Sequence, residues 1–179
     1  MPIPQFTAGQ VLTAAQLNAM VDAINAGGAV KVERFTASGT WTVPAGVTYA
    51  VAYILGGGGG VGSASSGTGG TSSVAFAGGT VSATGGVGVN TNFATNGFVS
   101  SAVGTANSGQ GAKITNYYDT GTRLAGVGVL IAQDGALITA GATVTPAASI
   151  TVTVGAGGVA GTSGAAGGTG YVYIEYQGS

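Results

Sequence analysis

The sequence predicts a mainly β protein: a glycine-rich antiparallel β-sandwich or jelly-roll-like domain behind one short N-terminal amphipathic helix. Three observations lead to this fold class. Residues 150–154 alternate strictly between apolar side chains and threonine, which is typical of a strand with one wet face. The chain contains 37 glycines in 179 residues, with runs of glycine directly beside such strands. Helical spacing of apolar residues is confined to the first 28 residues.

The composition indicates a folded and oligomeric protein. Hydrophobic residues make up 45% of the chain and charged residues 5%, and the formal net charge is -1. Disordered chains, in contrast, are poor in hydrophobic residues and rich in net charge. Because a monomer with so little charge would be poorly soluble, we expect a stable oligomer that hides much of its surface.

The residue composition also disfavours several classes of protein. Cysteine is absent, which excludes a disulfide framework and a thiolate zinc site. The 4 lysines and arginines are too few to neutralise the phosphates of a nucleic acid. Residues 1–5 lack the cationic and apolar regions of a signal peptide. The longest apolar run, residues 47–55, is far shorter than a membrane span of about 20 residues. We therefore expect neither nucleic acid binding nor membrane insertion.

The N-terminal segment has the signature of a helix start. Thr13 fits the N-cap position and Gln16 follows three residues later, which completes a capping box. A helix of about three turns is marginal alone, so it needs a partner. That partner is its own β domain, other copies of the chain or a neighbouring protein, and we favour the last two. The apolar stripe predicted to mediate this contact consists of Leu17, Met20, Val21 and Ile24.

The chain divides into residues 1–29, for attachment or trimerisation, and residues 30–179, the glycine-rich β domain. Residues 47–55 are small or apolar on both faces, so we expect a central strand that is covered on both sides. Further strands are expected at residues 30–35, 39–43, 72–76, 80–84, 112–117, 123–132, 150–154 and 171–176.

The glycine runs allow two interpretations. Residues 56–60, 155–158 and 161–170 are either flexible linkers or packed runs resembling polyproline II, where only glycine lets backbones approach closely. Their position beside strands favours ordered loops at one end of the domain. Residues 85–111 are rich in Gly, Asn, Ser and Thr, and we expect a long surface loop or a weakly ordered insertion there.

The residue types argue against an enzyme. Histidine and cysteine are both absent, so Ser/His and Cys/His nucleophilic pairs are excluded. Asp119 and Asp134 are the pair that a glycosidase would need, but both precede turn-forming sequences and are expected to lie in turns. The glycine runs contain no Gly-Lys-Ser/Thr phosphate loop. No cofactor and no metal are expected.

Aromatic residues supply the candidates for recognition. Trp41, the 1 tryptophan of the chain, is expected in the core. The tyrosines of residues 171–176 alternate as sheet residues do. Phe93 and Phe98 lie in a polar stretch and are the stronger candidates for adhesion, although anchoring of their own loop is an equal alternative. The full set of predicted receptor-binding residues is Phe93, Phe98, Tyr117 and Tyr118.

The order of several segments resembles the glycine-rich domain of bacteriophage tail fibre and tail tip proteins. In that family a tryptophan signature leads into a hydrophobic strand and a polyglycine stretch, and a further strand closes the domain. The segments that carry the resemblance are residues 35–47 (FTASGTWTVPAGV), 47–60, 70–73, 80–86, 146–158 and 170–176 (GYVYIEY). Separately, residues 9–18 (GQVLTAAQLN) resemble a leader segment that is common at the start of small phage tail proteins. Residues 85–111 follow no pattern of the family.

The resemblance implies a location in the phage virion and a homotrimer that contacts other tail proteins. It implies no particular receptor. The leading hypothesis is a receptor-binding adhesin, made in the host cytoplasm, whose loops contact a host surface polysaccharide or pilus. A non-adhesive structural component of the tail or baseplate is the main alternative. An ice-binding or surface-coat protein is a third, since Thr151 and Thr153 alternate along one strand.

Overall fold

The structure, a computed structural model, describes most of the chain from residue 28 onward and a few positions before it. The described residues are 13–15, 17–18, 21, 28–62, 65–90, 96–102, 104, 106–119, 128–162 and 164–178. This part of the chain is almost entirely β-structure and glycine-rich connections. Its strands, in chain order, are β1 (Val30–Phe35), β2 (Gly39–Thr42), β3 (Tyr49–Leu55), β4 (Val61–Gly62), β5 (Ser72–Phe76), β6 (Gly79–Ala83), β7 (Val89–Asn90), β8 (Asn96–Ala102), β9 (Lys113–Asp119), β10 (Gly128–Ile131), β11 (Leu137–Thr143), β12 (Ser149–Thr153) and β13 (Tyr171–Gln177).

Two antiparallel sheets of four strands form the centre of the protein. The first sheet has the strand order β1-β13-β3-β11, and the second has the order β2-β12-β5-β6. Their apolar faces share one cluster of buried residues, and we call this unit the two-sheet core. Alternation places Ala52 and Ile54 of β3 in this cluster, together with Val74 of β5 and Val152 of β12, all 0% exposed. Burial of a side chain as large as Ile54 contributes about 1.5–3 kcal/mol.

The prediction of a mainly β fold is confirmed, but β3 differs from its expected environment. It is central, because it pairs with β13 on one side and β11 on the other. The expectation that both of its faces are covered is wrong. Ala50, Ala52 and Ile54 are buried, whereas Tyr49 is 55% exposed and Val51 is only half-buried. No described element packs over that second face.

The glycine runs pack into an ordered bundle at one end of the two-sheet core. Residues 56–60 run along its centre, and each of these glycines is buried. Their hydrogen bonds repeat every three residues: the N–H groups of Gly57 and Gly60 both donate to the segment 67–70. Three residues per turn without internal hydrogen bonds is the geometry of polyproline II, so the second interpretation of the glycine runs is the correct one.

Every main-chain polar group of Gly57, Gly58, Gly59 and Gly60 is paired within this glycine bundle. Their N–H groups donate to carbonyl oxygens in residues 67–70, 133 and 168. Their carbonyl oxygens accept from N–H groups in residues 86, 89, 112 and 158. The central run is therefore surrounded on all sides by main chain. Buried main-chain groups need such partners, since an orphaned group costs as much as a lost hydrogen bond.

Only glycine fits at the centre of the bundle. A Cβ atom on Gly58 would overlap the carbonyl oxygen of Gln110, and one on Gly57 would overlap that of Ala156. These obstacles are main chain, which cannot rotate away as a flexible side chain can. The run of glycines is thus a packing requirement of this fold.

Most predicted strands match observed ones, with clear exceptions. The prediction at residues 72–76 coincides with β5, and that at residues 30–35 with β1. Strand β11 was not predicted. The prediction of a loop or weakly ordered insertion at residues 85–111 is wrong in part, because β8 lies within it and both of its ends pack in the glycine bundle.

The predicted N-terminal helix lies mostly outside the described residues. Within the described part, Ala14, Ala15, Leu17, Asn18 and Val21 are helical. The Leu17 N–H donates to the Thr13 carbonyl at 3.1 Å, which is the bond expected of an N-cap residue at Thr13. The full length of the helix stays a prediction.

The glycine bundle predicts a sharp contrast between two glycine-to-alanine substitutions. Gly58→Ala should destabilise the protein by about 3 kcal/mol, because the added methyl meets immovable main chain. Gly78→Ala, in the turn between β5 and β6, should change stability by less than about 0.5 kcal/mol, since nothing lies within 4 Å of its added methyl. Urea unfolding measures both. Equal stability of the two variants would show that the central run is a flexible linker.

A second prediction concerns the junction between the two-sheet core and the glycine bundle. The Ser72 hydroxyl is fully buried, donates to the Leu55 carbonyl at 2.6 Å and accepts from the Gly155 N–H at 2.9 Å. Ser72→Ala leaves both main-chain groups without this partner and should cost about 1–3 kcal/mol. Ser73→Ala, one residue along the same strand, is the matched control and should be nearly neutral. A neutral Ser72→Ala would contradict the assignment.

Candidate functional site

A small antiparallel sheet joins the glycine bundle beside Gly59, beyond the end of the two-sheet core. Its strand order is β10-β9-β8. Strand β9 begins directly after Ala112, whose N–H donates to the Gly59 carbonyl near the end of the central run. Polyproline II rises about 3.1 Å per residue, so this sheet starts about 12 Å beyond Leu55, where the first sheet ends. We call it the distal sheet.

The distal sheet brings together most of the predicted receptor-binding residues. Phe98 of β8 lies directly opposite Tyr117 of β9 in the register, and Gly97 lies opposite Tyr118. Residues distant in sequence thus become neighbours on one sheet. The fourth candidate, Phe93, lies outside the described residues.

The ends of the distal sheet are held by main-chain contacts in the glycine bundle. Ala112 and Ala132, which flank the β9–β10 pair, are buried, and the Ala132 N–H donates to the Ala112 carbonyl at 2.9 Å. After β8, the Gly104 N–H donates to the Ala166 carbonyl. Asn107 adds a side-chain contact, since its Oδ1 accepts from the Thr169 hydroxyl at 3.2 Å. A surface held in this way is preorganised, which lowers the entropic cost of binding.

The predicted oligomerisation residues are only partly described. Leu17 and Val21 are helical, and 51% and 47% of their surfaces are exposed. Met20 and Ile24 lie outside the described residues. Leu17 and Val21 are one turn apart and therefore share a side of the helix. Neither is buried against the two-sheet core.

The other aromatic residues have structural positions. Trp41 is 3% exposed and its ring lies 5.4 Å from that of Tyr176, which confirms the prediction of core packing. Tyr171 and Tyr173 are half-buried sheet residues, with ring centroids 4.6 Å apart. The guanidinium of Arg34 lies 5.5 Å from the centre of the Tyr173 ring, within the range of a cation–π contact.

The described carboxylates do not form a catalytic pair. The expectation that Asp134 lies in a turn is wrong: residues 133–135 form a segment of the glycine bundle, and Asp134 Oδ1 accepts from the Gly111 N–H at 2.7 Å. Asp119 is the last residue of β9, and its side chain lies outside the described part. Glu33 and Glu175 are opposite Ile174 and Val32 in the pairing of β1 with β13, so they lie on opposite faces of the first sheet.

The described part of the chain contains no cluster of metal ligands and no helix that could span a membrane. Among those residues, no three of the acidic, histidine or cysteine type lie close enough together to hold a metal ion. No described helix has the length and hydropathy required to cross a membrane.

Threonine and serine cover the outer side of the second sheet. Thr151 lies opposite Thr40, and Ser149 opposite Thr42, in the pairing of β12 with β2. Thr153 lies opposite Ser73 of β5. These paired hydroxyl residues form a larger array than Thr151 and Thr153, which suggested the ice-binding alternative. The sequence did not reveal that the array extends across three strands. A solvated face of this kind is also ordinary for an antiparallel sheet.

The contact of Asp134 with the main chain predicts a structural role for its carboxylate. Asp134→Ala removes the acceptor of the Gly111 N–H and should lower stability by about 1 kcal/mol. Asp134→Asn retains an oxygen at the same place and should be close to neutral. Thermal unfolding distinguishes the two variants. Equal loss in both would indicate that the charge, and not the hydrogen bond, stabilises this segment.

Comparison with known proteins identifies no relative. No protein-family model matches the chain, and no curated protein sequence matches it either. The resemblance to phage tail fibre and tail tip proteins therefore depends on the segments described above, and the function that it implies stays a prediction.

Proposed function

We propose that this protein is a bacteriophage tail fibre or tail tip protein that binds the host cell surface through its distal sheet. The observation that carries the proposal is the convergence of Phe98, Tyr117 and Tyr118 on one small sheet. Residue type and sequence context alone make these residues candidates for recognition. Tyrosine and phenylalanine are enriched in recognition surfaces, because they bring large contact areas at low entropic cost.

The division of the molecule into two ends supports this assignment. The distal sheet joins the glycine bundle beside Gly59, whereas β1, which follows the N-terminal segment, belongs to the two-sheet core, where the central run begins. An adhesin needs such a polarity, with attachment to the particle at one end and contact with the host at the other. The bundle holds the two apart by main-chain hydrogen bonds.

The finer description of the fold belongs to the same proposal. The two facing sheets are consistent with a β-sandwich or jelly-roll-like unit, which we take as the domain of residues 30–179. We propose a homotrimer located in the virion and attached to other tail proteins through residues 1–29. Three copies on one fibre would raise the apparent affinity for a repetitive polysaccharide or pilus through multivalency.

A purely structural role in the tail or baseplate is the second candidate. The exposed valines Val30 and Val32 favour it, since an apolar surface of this kind often contacts another protein. The two candidate functions predict different roles for the distal sheet. Adhesion requires its residues for host binding, whereas a structural role leaves host binding absent.

The proposed function predicts the outcome of a cell-binding experiment. Fluorescently labelled protein, added to a panel of bacterial strains, should bind one host saturably and block infection of that host by a phage. The double variant Phe98→Ala/Tyr117→Ala should lose at least about tenfold in affinity, which corresponds to about 1.4 kcal/mol. Competition with purified surface polysaccharide or with purified pili separates the two targets.

The matched control removes side chains from the second sheet of the two-sheet core. The double variant Thr151→Ala/Thr153→Ala lies on the outer side of the second sheet and should bind cells as the wild type does. Circular dichroism and unfolding of each variant exclude misfolding as a cause. Absence of host binding in the folded, oligomeric wild type, or retained binding in the Phe98→Ala/Tyr117→Ala variant, would refute the adhesin proposal.

A further inference from the structure

The outer faces of the two sheets differ in chemistry. The second sheet presents threonine and serine outward, as Thr40, Thr42, Thr151 and Thr153 illustrate. The first sheet presents apolar and aromatic residues instead. Residues opposite one another in its register share this outer face, which contains Val30, Val32, Arg34, Tyr49, Val51, Tyr53, Leu55, Leu137, Thr139, Gly141, Thr143, Tyr171, Tyr173, Glu175 and Gln177.

Large apolar side chains on this outer face are exposed in the single chain. Val30 and Leu137 are each 58% exposed, Val32 is 57% exposed and Tyr49 is 55% exposed. Exposed apolar residues that adjoin one another mark interaction sites more often than isolated ones do. An antiparallel sheet can solvate one face, but the outward residues are then polar, as in the second sheet. The first sheet therefore lacks a covering element.

A cavity of about 380 Å³ opens at the end of the outer face that is remote from the glycine bundle. Val30, Tyr49 and Val51 supply apolar walls from neighbouring strands, and Thr48 and Gln177 supply polar groups. The ring of Tyr49 extends across β11, where a Cβ atom on Gly141 would overlap its hydroxyl oxygen. A strand glycine of this kind marks a close approach. Glu175 also lines the cavity, so aliphatic side chains fit only against its apolar walls.

The N-terminal segment carries an apolar surface of matching chemistry. Leu17 and Val21 lie on one side of the helical residues and are half exposed. Residues 13–21 contain no charged side chain, and the outer face contains one cation, Arg34, and one anion, Glu175. The only like charges near this contact are Asp22, which follows Val21, and Glu175 of the cavity wall. A helix with one apolar stripe is the usual cover for the apolar face of a sheet.

We propose that the helical residues around Leu17 and Val21 of a second copy of this chain dock on the outer face and fill the cavity beside Val30. In the single chain both surfaces stay open. The eight residues 22–29 nevertheless join Val21 to Val30, and such a length spans at most about 30 Å. The segment can reach its own outer face, yet its apolar side chains are not buried there. A second copy is thus the occupant that the structure favours.

The area of the outer face supports exchange between copies. Four strands about 4.8 Å apart and seven residues long cover about 400 Å². A stable interface buries about 800 Å² on each partner. The docked segment adds its own surface, so each copy contributes both a face and a segment. This contact can form both in a dimer, where each copy docks on the other, and in a ring of three copies. The proposal does not depend on host binding.

Cross-linking tests the contact directly, because the chain contains no cysteine. Leu17→Cys and Val30→Cys variants, carrying different tags, are co-expressed and treated with a short bis-maleimide. The expected product is a covalent pair that contains one chain of each kind. The matched control combines Leu17→Cys with Thr151→Cys, on the outer side of the second sheet, and should give at least tenfold less product. No mixed product above the level of this control would overturn the proposal.

The double variant Leu17→Cys/Val30→Cys distinguishes docking within one chain. A cross-link inside single chains, with none between chains, would show that the segment covers its own face and would also overturn the proposal. Light scattering provides a second measurement. Val32→Asp places a charge on the exposed outer face and should weaken association at least tenfold, whereas Thr151→Asp should leave it unchanged. An unaltered molar mass for Val32→Asp would contradict the docking of a second copy on this face.

Discussion

Contact between main chains without intervening side chains is the constraint on which this structure depends. At residues 56–60 the neighbouring segments approach so closely that a single added Cβ atom would overlap a carbonyl oxygen. Hydrogen bonds between segments then satisfy the main-chain groups, as they do in a sheet, but in several directions around one central run. The ordering of glycine is entropically costly. A fully hydrogen-bonded, closely packed bundle offsets this entropic cost, whereas an open loop does not.

The glycine bundle also determines how the rest of the chain is arranged. Segments leave the two-sheet core, run through the bundle and return, so the connections between strands lie in or beyond the bundle. One of these connections is expanded into the distal sheet, with both of its ends paired in the bundle. The fold therefore separates variable connections from the core that supports them. Such a separation suits a protein that presents a recognition surface, because rigid scaffolds commonly carry function on their connections.

The scarcity of charge follows from the same architecture. The interior of the bundle has no room for charged side chains, and the second sheet covers its outer side with hydroxyl groups. The first sheet is covered neither by main chain nor by hydroxyl groups, since its outer face combines exposed valines with tyrosines. A chain with a net charge of -1 lacks the electrostatic repulsion that keeps such a face apart from others. The proposed docking of a second copy on this face would be the physical counterpart of the composition.

The sequence by itself determined the strands whose two faces differ in polarity. Alternation identified β5 and β12, because burial on one side imposes a period of two, and the strand-like segment around Trp41 assigned this residue to the core. It did not identify β11, where Gly141 and neighbouring alanines carry too little apolar contrast.

Only the tertiary structure decided the state of the glycine runs, since a glycine has no side chain to record whether its neighbour is solvent or another main chain. The tertiary structure also decided that one face of β3 is uncovered and that Phe98 lies opposite Tyr117. These properties belong to pairs of distant segments, which local patterns do not encode.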